Sequence, residues 1–255
     1  MSDIEVPESH PRYQSLLTRH RIEEGVEKGI TSAQGLIAEG RGEAFDYLLG
    51  ERTLSSADGA ERAAAAHLLL ARRPVISVNG NVAALVPGEV VALAEATGAD
   101  LEVNLFNRTD ERVRAIAEHL REHGATGVKG LTADARIPGI DHERAKVDGD
   151  GIYDADVVLV PLEDGDRAEA LGEMGKTEIV IDLNPLSRSP RTAAVPVIDN
   201  VIRAVPNVAA HARDLRDADG ADLRAIVEEF DSEAALADAE RAIRDGAATP
   251  GEREG

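Results

Sequence analysis

Hydrophobic positions recur three or four residues apart in the first part of the chain. Leu16, Leu17, Ile22 and Val26 follow this spacing, and two further segments rich in alanine and leucine come after them. A period near 3.6 residues indicates amphipathic helices, and alanine and leucine have high helix propensity. We therefore predict that residues 1–73 form an N-terminal helical segment.

The pattern changes after residue 73, where short β-branched runs alternate with helical segments. A run such as VVLVP (157–161) is apolar at every position, which is typical of a strand buried on both faces of a parallel sheet. The alternation predicts an α/β fold, here a Rossmann-like, mostly parallel sheet with helices on both faces. The predicted strands are residues 75–80, 101–106, 127–131, 157–162, 178–183 and 195–199.

The same pattern divides the chain into three parts of one structural domain. The helical segment, residues 1–73, packs on an α/β nucleotide-binding core, residues 74–218, and residues 219–255 add C-terminal helices and a frayed tail. Inside the core, residues 132–155 show neither period and are predicted to form a long polar connection. Loops of that length in a compact domain are often functional.

The charge composition narrows the class of protein. The chain has 255 residues with 48 acidic and 28 basic side chains, a net charge of −20, and only four of the basic residues are lysines. Acid-rich, lysine-poor chains stay hydrated in concentrated salt, so we interpret this as a halophile's protein; an ordinary acidic protein is the alternative. We expect no nucleic-acid partner, because no basic patch stands out.

Several missing features exclude further classes. The sequence has no cysteine, which rules out thiolate zinc sites and cysteine nucleophiles, and its seven histidines lack the spacing of a zinc hydrolase. The first residues lack the apolar region of a secretion signal, and no apolar run approaches the ~20 residues of a membrane span. We therefore expect a cytoplasmic protein with no membrane partner.

Polar residues gather at the carboxyl ends of the predicted strands, where open parallel sheets bind their ligands. Helix capping explains any one of these positions, but several adjacent strand ends of the same kind favour a shared polar cleft. The residues are Asn79, Gly80, Asn81, Asn107, Arg108, Glu163, Asp164, Asp166, Asp182, Leu183, Asn184, Asp199 and Asn200.

The stretch GEMGKTEIVIDLNP (172–185) resembles a phosphate-binding loop at first sight. Ala170 stands where that motif needs its first glycine, and Gly175-Lys176-Thr177 precedes a strand instead of following one. Gly175 is better interpreted as the end of a helix, which places Lys176 at the amino edge of the sheet. The dinucleotide fingerprint also fails at Gly40-Arg41-Gly42, because no strand precedes it and no third glycine follows.

Other stretches could bind charged groups. NPLSRSPR (184–191) offers arginines and hydroxyls suited to phosphate, and DNV (199–201) opens a helix whose N–H groups favour an anion. EGRGEAFDY (39–47) has two glycines in helical sequence, which suggests a close approach to a ligand or to another part of the chain. A plain turn and a surface helix with ion pairs are the ordinary alternatives.

Long blocks of the sequence resemble the archaeal phosphopantothenate synthetase family, also called 4-phosphopantoate–β-alanine ligases. The likeness extends over residues 7–245, and Glu39 departs from it because family members often carry histidine before Gly-Arg-Gly. The matching blocks include TRHRIEEGVEKGITSAQGLIAEGRGEAFDYLLGERT, PVISVNGNVAALVP, EVNLFNRTDERVRAIAEHL, RIPGIDHERAKVDGDGIYDADVVLVPLEDGDRAEALGEMGK and IDLNPLSRSPRTAAVPVIDNVIRA.

The resemblance implies a homodimeric, ATP-dependent ligase of coenzyme A synthesis. Such an enzyme joins 4-phosphopantoate to β-alanine through an acyl-adenylate and releases AMP and diphosphate, with Mg²⁺ expected as the companion of ATP. By the same resemblance, the ATP contacts fall on Arg19, Arg41, Asp182, Leu183, Asn184, Arg188, Ser189, Asn200 and Val201.

Two further assignments are our own inference from the strand ends. Asn79, Gly80 and Asn81 could cradle phosphopantoate, and the carboxylates listed last here could hold Mg²⁺ or the β-alanine ammonium group. A nucleotide-binding regulatory protein without catalysis is the alternative function, and a nicotinamide-dependent oxidoreductase is disfavoured by the missing fingerprint. The carboxylates are Glu163, Asp164 and Asp166.

Overall fold

A computed structural model describes residues 7–10, 12–162 and 165–248. Within those ranges the strands are β1 (Pro74–Val78), β2 (Asp100–Val103), β3 (Ala135–Arg136), β4 (Lys146–Val147), β5 (Val157–Pro161), β6 (Thr177–Asp182) and β7 (Val195–Ile198). The helices are α1 (Tyr13–Glu27), α2 (Ala33–Leu49), α3 (Ser55–Leu70), α4 (Gly80–Leu85), α5 (Pro87–Thr97), α6 (Asp110–Glu122), α7 (Gly165–Glu173), α8 (Arg188–Thr192), α9 (Val201–Leu215), α10 (Gly220–Glu229) and α11 (Ser232–Ala248).

Five strands form one parallel sheet in the order β2-β1-β5-β6-β7. Ile76 of β1 pairs with Leu101 of β2 on one side and with Leu159 of β5 on the other. The chain therefore winds outward in one direction from β1 and in the other from β5, and the reversal leaves a crevice between their carboxyl ends. The predicted Rossmann-like parallel sheet is confirmed.

The two faces of the sheet are covered differently. Helices α3, α5, α6 and α9 bury one face in the main apolar core, where side chains such as Ile76, Leu159 and Ile179 are fully buried. Each such side chain contributes roughly 1.5–3 kcal/mol through the area it removes from water. The opposite face packs against α7 and against the segment 135–155.

The helices that precede β1 and follow α9 in the sequence pack on the helices and the strand edge of the sheet domain. Helix α1 packs on α4 and α2, α3 packs on α9 and β7, and α10 and α11 both pack on α3. The predicted helices in residues 1–73 and after residue 219 are thus confirmed, and the predicted frayed tail lies mostly outside the described residues. These contacts support our proposal that the three parts form one structural domain. No helix in the described ranges is long and apolar enough to cross a membrane.

One predicted strand is wrong. Residues 127–131 form only an isolated bridge, in which Lys129 lies beside Glu102 at the edge of β2. Gly130 has a left-handed φ of 91°, and its backbone lies so close to that of Val103 that a Cβ would collide with it. A strand cannot continue through that conformation.

The connection 132–155 is more ordered than its polar pattern suggests. It contains the hairpin β3–β4 and a wide turn over Gly149–Tyr153, and it buries Ile137, Val147 and Ile152 against the sheet. Its apolar residues are too widely spaced to give a helical or strand period. The segment takes the place of a crossover helix on this face.

A buried carboxylate holds this connection in place. Glu102 on β2 is fully buried and accepts hydrogen bonds from the backbone N–H of Asp148 (2.9 Å) and of Ile152 (2.6 Å). Burial raises the pKa of Glu102 to about 7, although these two hydrogen bonds favour the charged form. Gly151 is required nearby, because a Cβ there would overlap the carboxylate.

Candidate functional site

The crevice between β1 and β5 is organised by Asn79. Its side chain accepts a hydrogen bond from the Val82 N–H (3.0 Å), which caps α4, and donates one to the Pro161 carbonyl (3.0 Å) at the end of β5. Leu162 follows with a left-handed φ of 56°, a strained conformation for a residue that is not glycine. Strain of this kind is concentrated at functional sites, so the crevice is the first candidate.

A cleft of about 220 Å³ opens above this point, between α2 and the start of α4. We call it the switch cleft; its lining includes Thr31, Gly35, Arg41, Asn79, Gly80, Asn81, Arg112, Arg144 and Leu162. Arg41 makes only a long hydrogen bond to Ala38 of its own helix (3.4 Å), and Arg112 donates to the carbonyl of Asn107 (2.7 Å). Neither has a carboxylate within 4.0 Å among the described residues. The switch cleft therefore favours anions.

A second cleft, of about 180 Å³, lies between α1 and α2. We call it the helix cleft; its lining includes Ser15, Thr18, Arg19, Glu39, Glu43, Asp46 and Asn200. Arg19 is half exposed and donates through Nε to Glu43 (2.8 Å), which also contacts Arg12 and Tyr47. The hydrogen bond from Arg19, above all, lowers the pKa of Glu43 to about 2. Glu43 thus holds Arg19 at the mouth of the cleft.

The floor of the helix cleft is a buried ionic network. Asn200 caps α9 and donates through Nδ2 to Asp46 (3.2 Å). Arg203 lies between Asp46 and Asp199, with N–O distances of 2.6 Å to both; the two aspartates are buried, and Arg203 is mostly buried. Burial raises the pKa of Asp46, and the hydrogen bonds from Arg203 and Asn200 oppose that shift. The network fixes Asn200 at the start of α9.

Glycine in α2 lets this helix approach the rim. A Cβ on Gly42 would lie 2.9 Å from Nδ2 of Asn200, whereas a Cβ on Gly40 would meet no atom within 4 Å. The expectation of a close approach in EGRGEAFDY is therefore met at Gly42, by the chain itself. Glu39 lies beside Gly42 and is 8% exposed. Burial and the charges of Asp46 and Glu43 raise its pKa to about 7.

The loop after β6 is held by Asp182. Its carboxylate accepts hydrogen bonds from the Leu183 N–H (2.7 Å) and from the Ser187 hydroxyl (2.8 Å), and the Asn184 side chain accepts one from the Leu186 N–H (3.1 Å). Leu183 packs against the apolar cluster of Phe45, Leu49, Ile198 and Ala239. Asp182 therefore shapes the loop and joins it to α2 through Leu183.

The residues that follow this loop start α8. The Arg188 guanidinium lies against Gly165, where a Cβ would overlap it, and is 3.6 Å from Glu169. Ser189 is buried in the first turn of α8, as Val201 is in the first turn of α9. These positions match the predicted carboxyl rim but line neither of the two clefts described above.

Lys176 lies at the opposite edge of the sheet, as predicted. Its Nζ donates to the carbonyls of Tyr153 (2.7 Å) and Ala155 (2.8 Å) just before β6 begins. Gly175 has a φ of 75°, the left-handed conformation that ends a helix. The predicted position of Lys176 is confirmed, and the order of helix, glycine and strand is the reverse of that in a phosphate-binding loop.

The residues predicted to hold phosphopantoate and β-alanine have different surroundings. Asn81 is committed to the chain, since it accepts a hydrogen bond from Thr31 Oγ1 (2.6 Å) and donates one to the Gly35 carbonyl (3.0 Å). Asp166 lies 3.1 Å from Nε2 of His142. Glu163 and Asp164 lie outside the described residues.

Sequence reasoning missed Arg112, whose side chain reaches the Ile30 carbonyl (3.3 Å) next to Gly80. Its place in the first turn of α6 looks like an ordinary surface position in the sequence. Glu43, the partner of Arg19, was also missed, although its spacing of four residues from Tyr47 is the signal of a pair on one helix face.

The fold and the two clefts define a class, namely a Rossmann-like α/β protein that presents arginines at the carboxyl rim of a parallel sheet. A profile of the family described as phosphopantothenate/pantothenate synthetase matches residues 56–246. The chain belongs to this family.

Curated relatives agree with that assignment. A Thermococcus onnurineus protein named 4-phosphopantoate–β-alanine ligase is 56% identical over 243 residues, covering 95% of this chain and 93% of its own length. A protein of the same name from Methanosarcina mazei is 56% identical, covering 94% of this chain and 93% of its own length. Another from Methanospirillum hungatei is 58% identical, covering 82% of this chain and 86% of its own length. All three organisms are archaea, and the resemblance seen in the sequence is confirmed.

Proposed function

We propose that this protein is an ATP-dependent ligase that joins 4-phosphopantoate to β-alanine, giving 4′-phosphopantothenate, AMP and diphosphate for coenzyme A synthesis. Three relatives that align with most of the chain carry the name of that ligase. The structural observation that supports the proposal best is Arg41, a guanidinium in the switch cleft without a carboxylate partner among the described residues. In a chain of net charge −20, such a group suits an anionic substrate.

The reaction takes place in two steps that need little covalent help. A carboxylate oxygen of 4-phosphopantoate attacks the α-phosphorus of ATP, and diphosphate leaves. The β-alanine amine then attacks the acyl carbon of the adenylate, loses a proton and displaces AMP. The tasks of the protein are to neutralise phosphate charge and to align the reactants.

We assign ATP to the two clefts on either side of α2. Arg19 and Arg41 supply guanidinium groups, and the start of α9 at Asn200 and Val201 supplies a favourable helix dipole. Arg19 has to exchange Glu43 for a phosphate oxygen, and Glu43 keeps Arg12 and Tyr47 as partners when it does so. The residues Asp182, Leu183, Asn184, Arg188 and Ser189 line neither cleft, and we include them in the proposed ATP site because of the family resemblance and their position on the same carboxyl rim.

We assign 4-phosphopantoate to the switch cleft, where Asn79, Gly80 and Arg112 lie together. A Cβ at position 80 would lie 2.7 Å from the Ile30 carbonyl oxygen and 3.1 Å from Nη2 of Arg112, so glycine lets the start of α4 pack closely against Ile30 and beside Arg112. Asn81 contributes by positioning α2 through its hydrogen bonds to Thr31 and Gly35. Arg41 lies in the same cleft and could contact both substrates where they react.

Mg²⁺ is expected to enter with ATP, with phosphate oxygens as most of its ligands. Of the carboxylates proposed for Mg²⁺ or for the β-alanine ammonium group, Asp166 is the described one. It is half exposed and bound on one side by His142, which leaves carboxylate oxygens of the type that Mg²⁺ prefers. The Asp166 carboxylate could therefore bind either Mg²⁺ or the β-alanine ammonium group.

The experiment that tests the function measures AMP and diphosphate. Protein in high salt is mixed with Mg-ATP, 4-phosphopantoate and β-alanine. In control reactions, 4-phosphopantoate and β-alanine are each omitted in turn. The ligase must release AMP only when both are present. A regulatory protein would bind ATP without releasing AMP, and that result would contradict the proposal.

Arg41→Ala tests the assignment of the site. We expect kcat/KM for ATP to fall about a hundredfold or more, the usual loss when one charge-stabilising donor is removed. Arg114→Ala is the matched control, because Arg114 is an exposed helix arginine whose nearest carboxylate, that of Asp110, is 3.8 Å away. Equal kinetics for the two variants would exclude Arg41 from the site.

We further propose a homodimer, and a cytoplasmic location follows from the use of ATP. Ile37 on α2 is 78% exposed, with Leu36 and Tyr47 exposed on the same helix, and a second copy could cover these side chains. Sedimentation of the protein and of Ile37→Asp tests this. A monomeric parent protein would contradict the proposal.

A further inference from the structure

Three side chains with metal-binding atoms meet between α3 and α9, away from both clefts. Asp58 and Glu61 lie one turn apart on α3, and His211 faces them from α9. One ligand atom from each lies within 4.8 Å of the others, and Oδ1 of Asp58 is 3.0 Å from Nε2 of His211. Ligands around one cation at ~2.1 Å are roughly 3–4 Å apart, so small side-chain movements would suffice.

Glu61 gives an independent reason to expect a ligand here. It is 0% exposed, and its Oε2 accepts a hydrogen bond from Asn207 (3.0 Å). Its Oε1 is buried and receives no hydrogen bond from any residue in the described ranges. A buried carboxyl oxygen without a partner is destabilising, and a bound cation would remove that penalty.

Two of the three side chains are reached from solvent. A groove of about 530 Å³ is lined by Asp58 and His211, together with Thr53, Asn207 and Asp214. It has room for water molecules that would complete the coordination of an ion. Asp58 is exposed, whereas Glu61 is fully buried behind the groove lining, where its Oε2 accepts the hydrogen bond from Asn207.

We propose that Asp58, Glu61 and His211 form a binding site for a divalent transition-metal cation such as Zn²⁺ or Co²⁺. One imidazole nitrogen and two carboxylate oxygens suit these ions, whereas Mg²⁺ prefers oxygen ligands alone. His211 lies about 16 Å along α9 from Asn200, at ~1.5 Å per residue, and none of the three side chains lines either cleft of the proposed ATP site. A bound ion would tie α3 to α9.

The site is also connected to the helix cleft. Asn207 donates to both Glu61 (3.0 Å) and Thr53 (3.1 Å), and Thr53 donates to Asp199 (2.6 Å), a partner of Arg203. Binding of a cation would fix Glu61 and, through it, Asn207 at the start of this series of hydrogen bonds. We therefore assign the ion a structural role that supports the start of α9.

The test titrates metal-free protein with CoCl₂ in a calorimeter at pH 7.5. We expect one Co²⁺ per chain, with the affinity reduced about tenfold or more in His211→Ala and Glu61→Gln. Asp58→Asn, an exposed position that does not disturb the core, should weaken binding as well. His20→Ala is the control, because His20 forms an exposed pair with Glu24 (3.3 Å) that has no third metal-binding side chain beside it among the described residues. Absence of saturable binding by the wild type, or affinities in all three site variants equal to that of His20→Ala, would overturn the proposal.

Discussion

Replacing Arg203 by methionine removes the only positive charge between two buried carboxylates in the described floor of the helix cleft. The guanidinium donates to Asp46 at 2.6 and 3.2 Å and to Asp199 at 2.6 and 3.1 Å. Breaking a buried pair by removing one partner typically destabilises a protein by ~3–5 kcal/mol. Methionine fills a similar volume, so the loss reports on charge more than on packing.

The network itself sets the expected size of the loss. The variant can relieve the repulsion by protonating one aspartate, which costs about 4 kcal/mol at pH 7 for an ordinary pKa. Asp46 keeps its hydrogen bond from Asn200, and Asp199 keeps that from Thr53 (2.6 Å), so both remain partly satisfied. We therefore expect a loss of about 3–4 kcal/mol at pH 7.

The pH dependence separates this explanation from a packing defect. Without Arg203, the folded-state pKa of the buried pair rises above the unfolded value, so the folded variant binds an extra proton and its penalty shrinks as the pH falls. The loss should decrease by about 1.4 kcal/mol per pH unit, or about 2 kcal/mol between pH 7 and pH 5.5.

Urea denaturation at fixed salt measures these free energies of unfolding. Arg241→Met is the control, because Arg241 makes an exposed pair with Asp238 (2.8 Å) whose loss should change stability by no more than about 0.5 kcal/mol. Salt should change the Arg203 result little, since buried charges are poorly screened. A loss as small as that of the control, or one independent of pH, would refute the electrostatic explanation.

Three further predictions concern the same rim. Gly42→Ala should weaken ATP binding, measured by calorimetry, because its Cβ would displace Asn200. Gly59→Ala, on α3 where a Cβ would meet no atom within 4 Å, should keep ATP binding and stabilise its helix by up to ~1 kcal/mol. Glu39→Gln should become more stable than the wild type as the pH rises from 4.5 through 7, because the raised pKa of Glu39 means that its charged form destabilises the folded protein. At pH 8 we expect a difference of about 3 kcal/mol in the free energy of unfolding, measured with urea. Parallel stability profiles of the two proteins against pH would contradict this. Glu102→Gln should accelerate hydrogen exchange at the Ile152 amide at pH 8, since the amide group offers one acceptor where the carboxylate offers two, and unchanged exchange would count against that role.

The sequence was sufficient to predict the parallel sheet because its central strands are apolar at successive positions. It failed at residues 127–131, where Gly130 takes a left-handed conformation that propensity does not reveal. It also failed to show that the connection 132–155 covers a sheet face, because the apolar residues there reach the sheet from a hairpin and a wide turn. Tertiary packing, rather than a local period, decides such segments.

Predicting the site was harder, since a sequence shows residue types but not their partners. Asn81 and Asp182 were both expected to touch substrate, and the sequence did not reveal that each also makes hydrogen bonds within the chain. His211 lies 153 residues from Asp58, so no spacing pattern could connect them. Lys176 was placed correctly because the order of helix, glycine and strand is itself a local signal.

Charge balance shows which rim residues remain available to a ligand. With 48 acidic and 28 basic side chains, carboxylates outnumber the cations in this protein, so we expect most arginines to form ion pairs. Arg19 and Arg203 are paired, as expected, whereas Arg41 and Arg112 face the switch cleft without a carboxylate among the described residues. Among the described residues, Arg112 donates hydrogen bonds only to backbone carbonyls, and Arg41 makes one long hydrogen bond to the Ala38 carbonyl. These two guanidinium groups are kept free of acid partners in an acidic chain, and an anionic substrate between them would supply the missing charge.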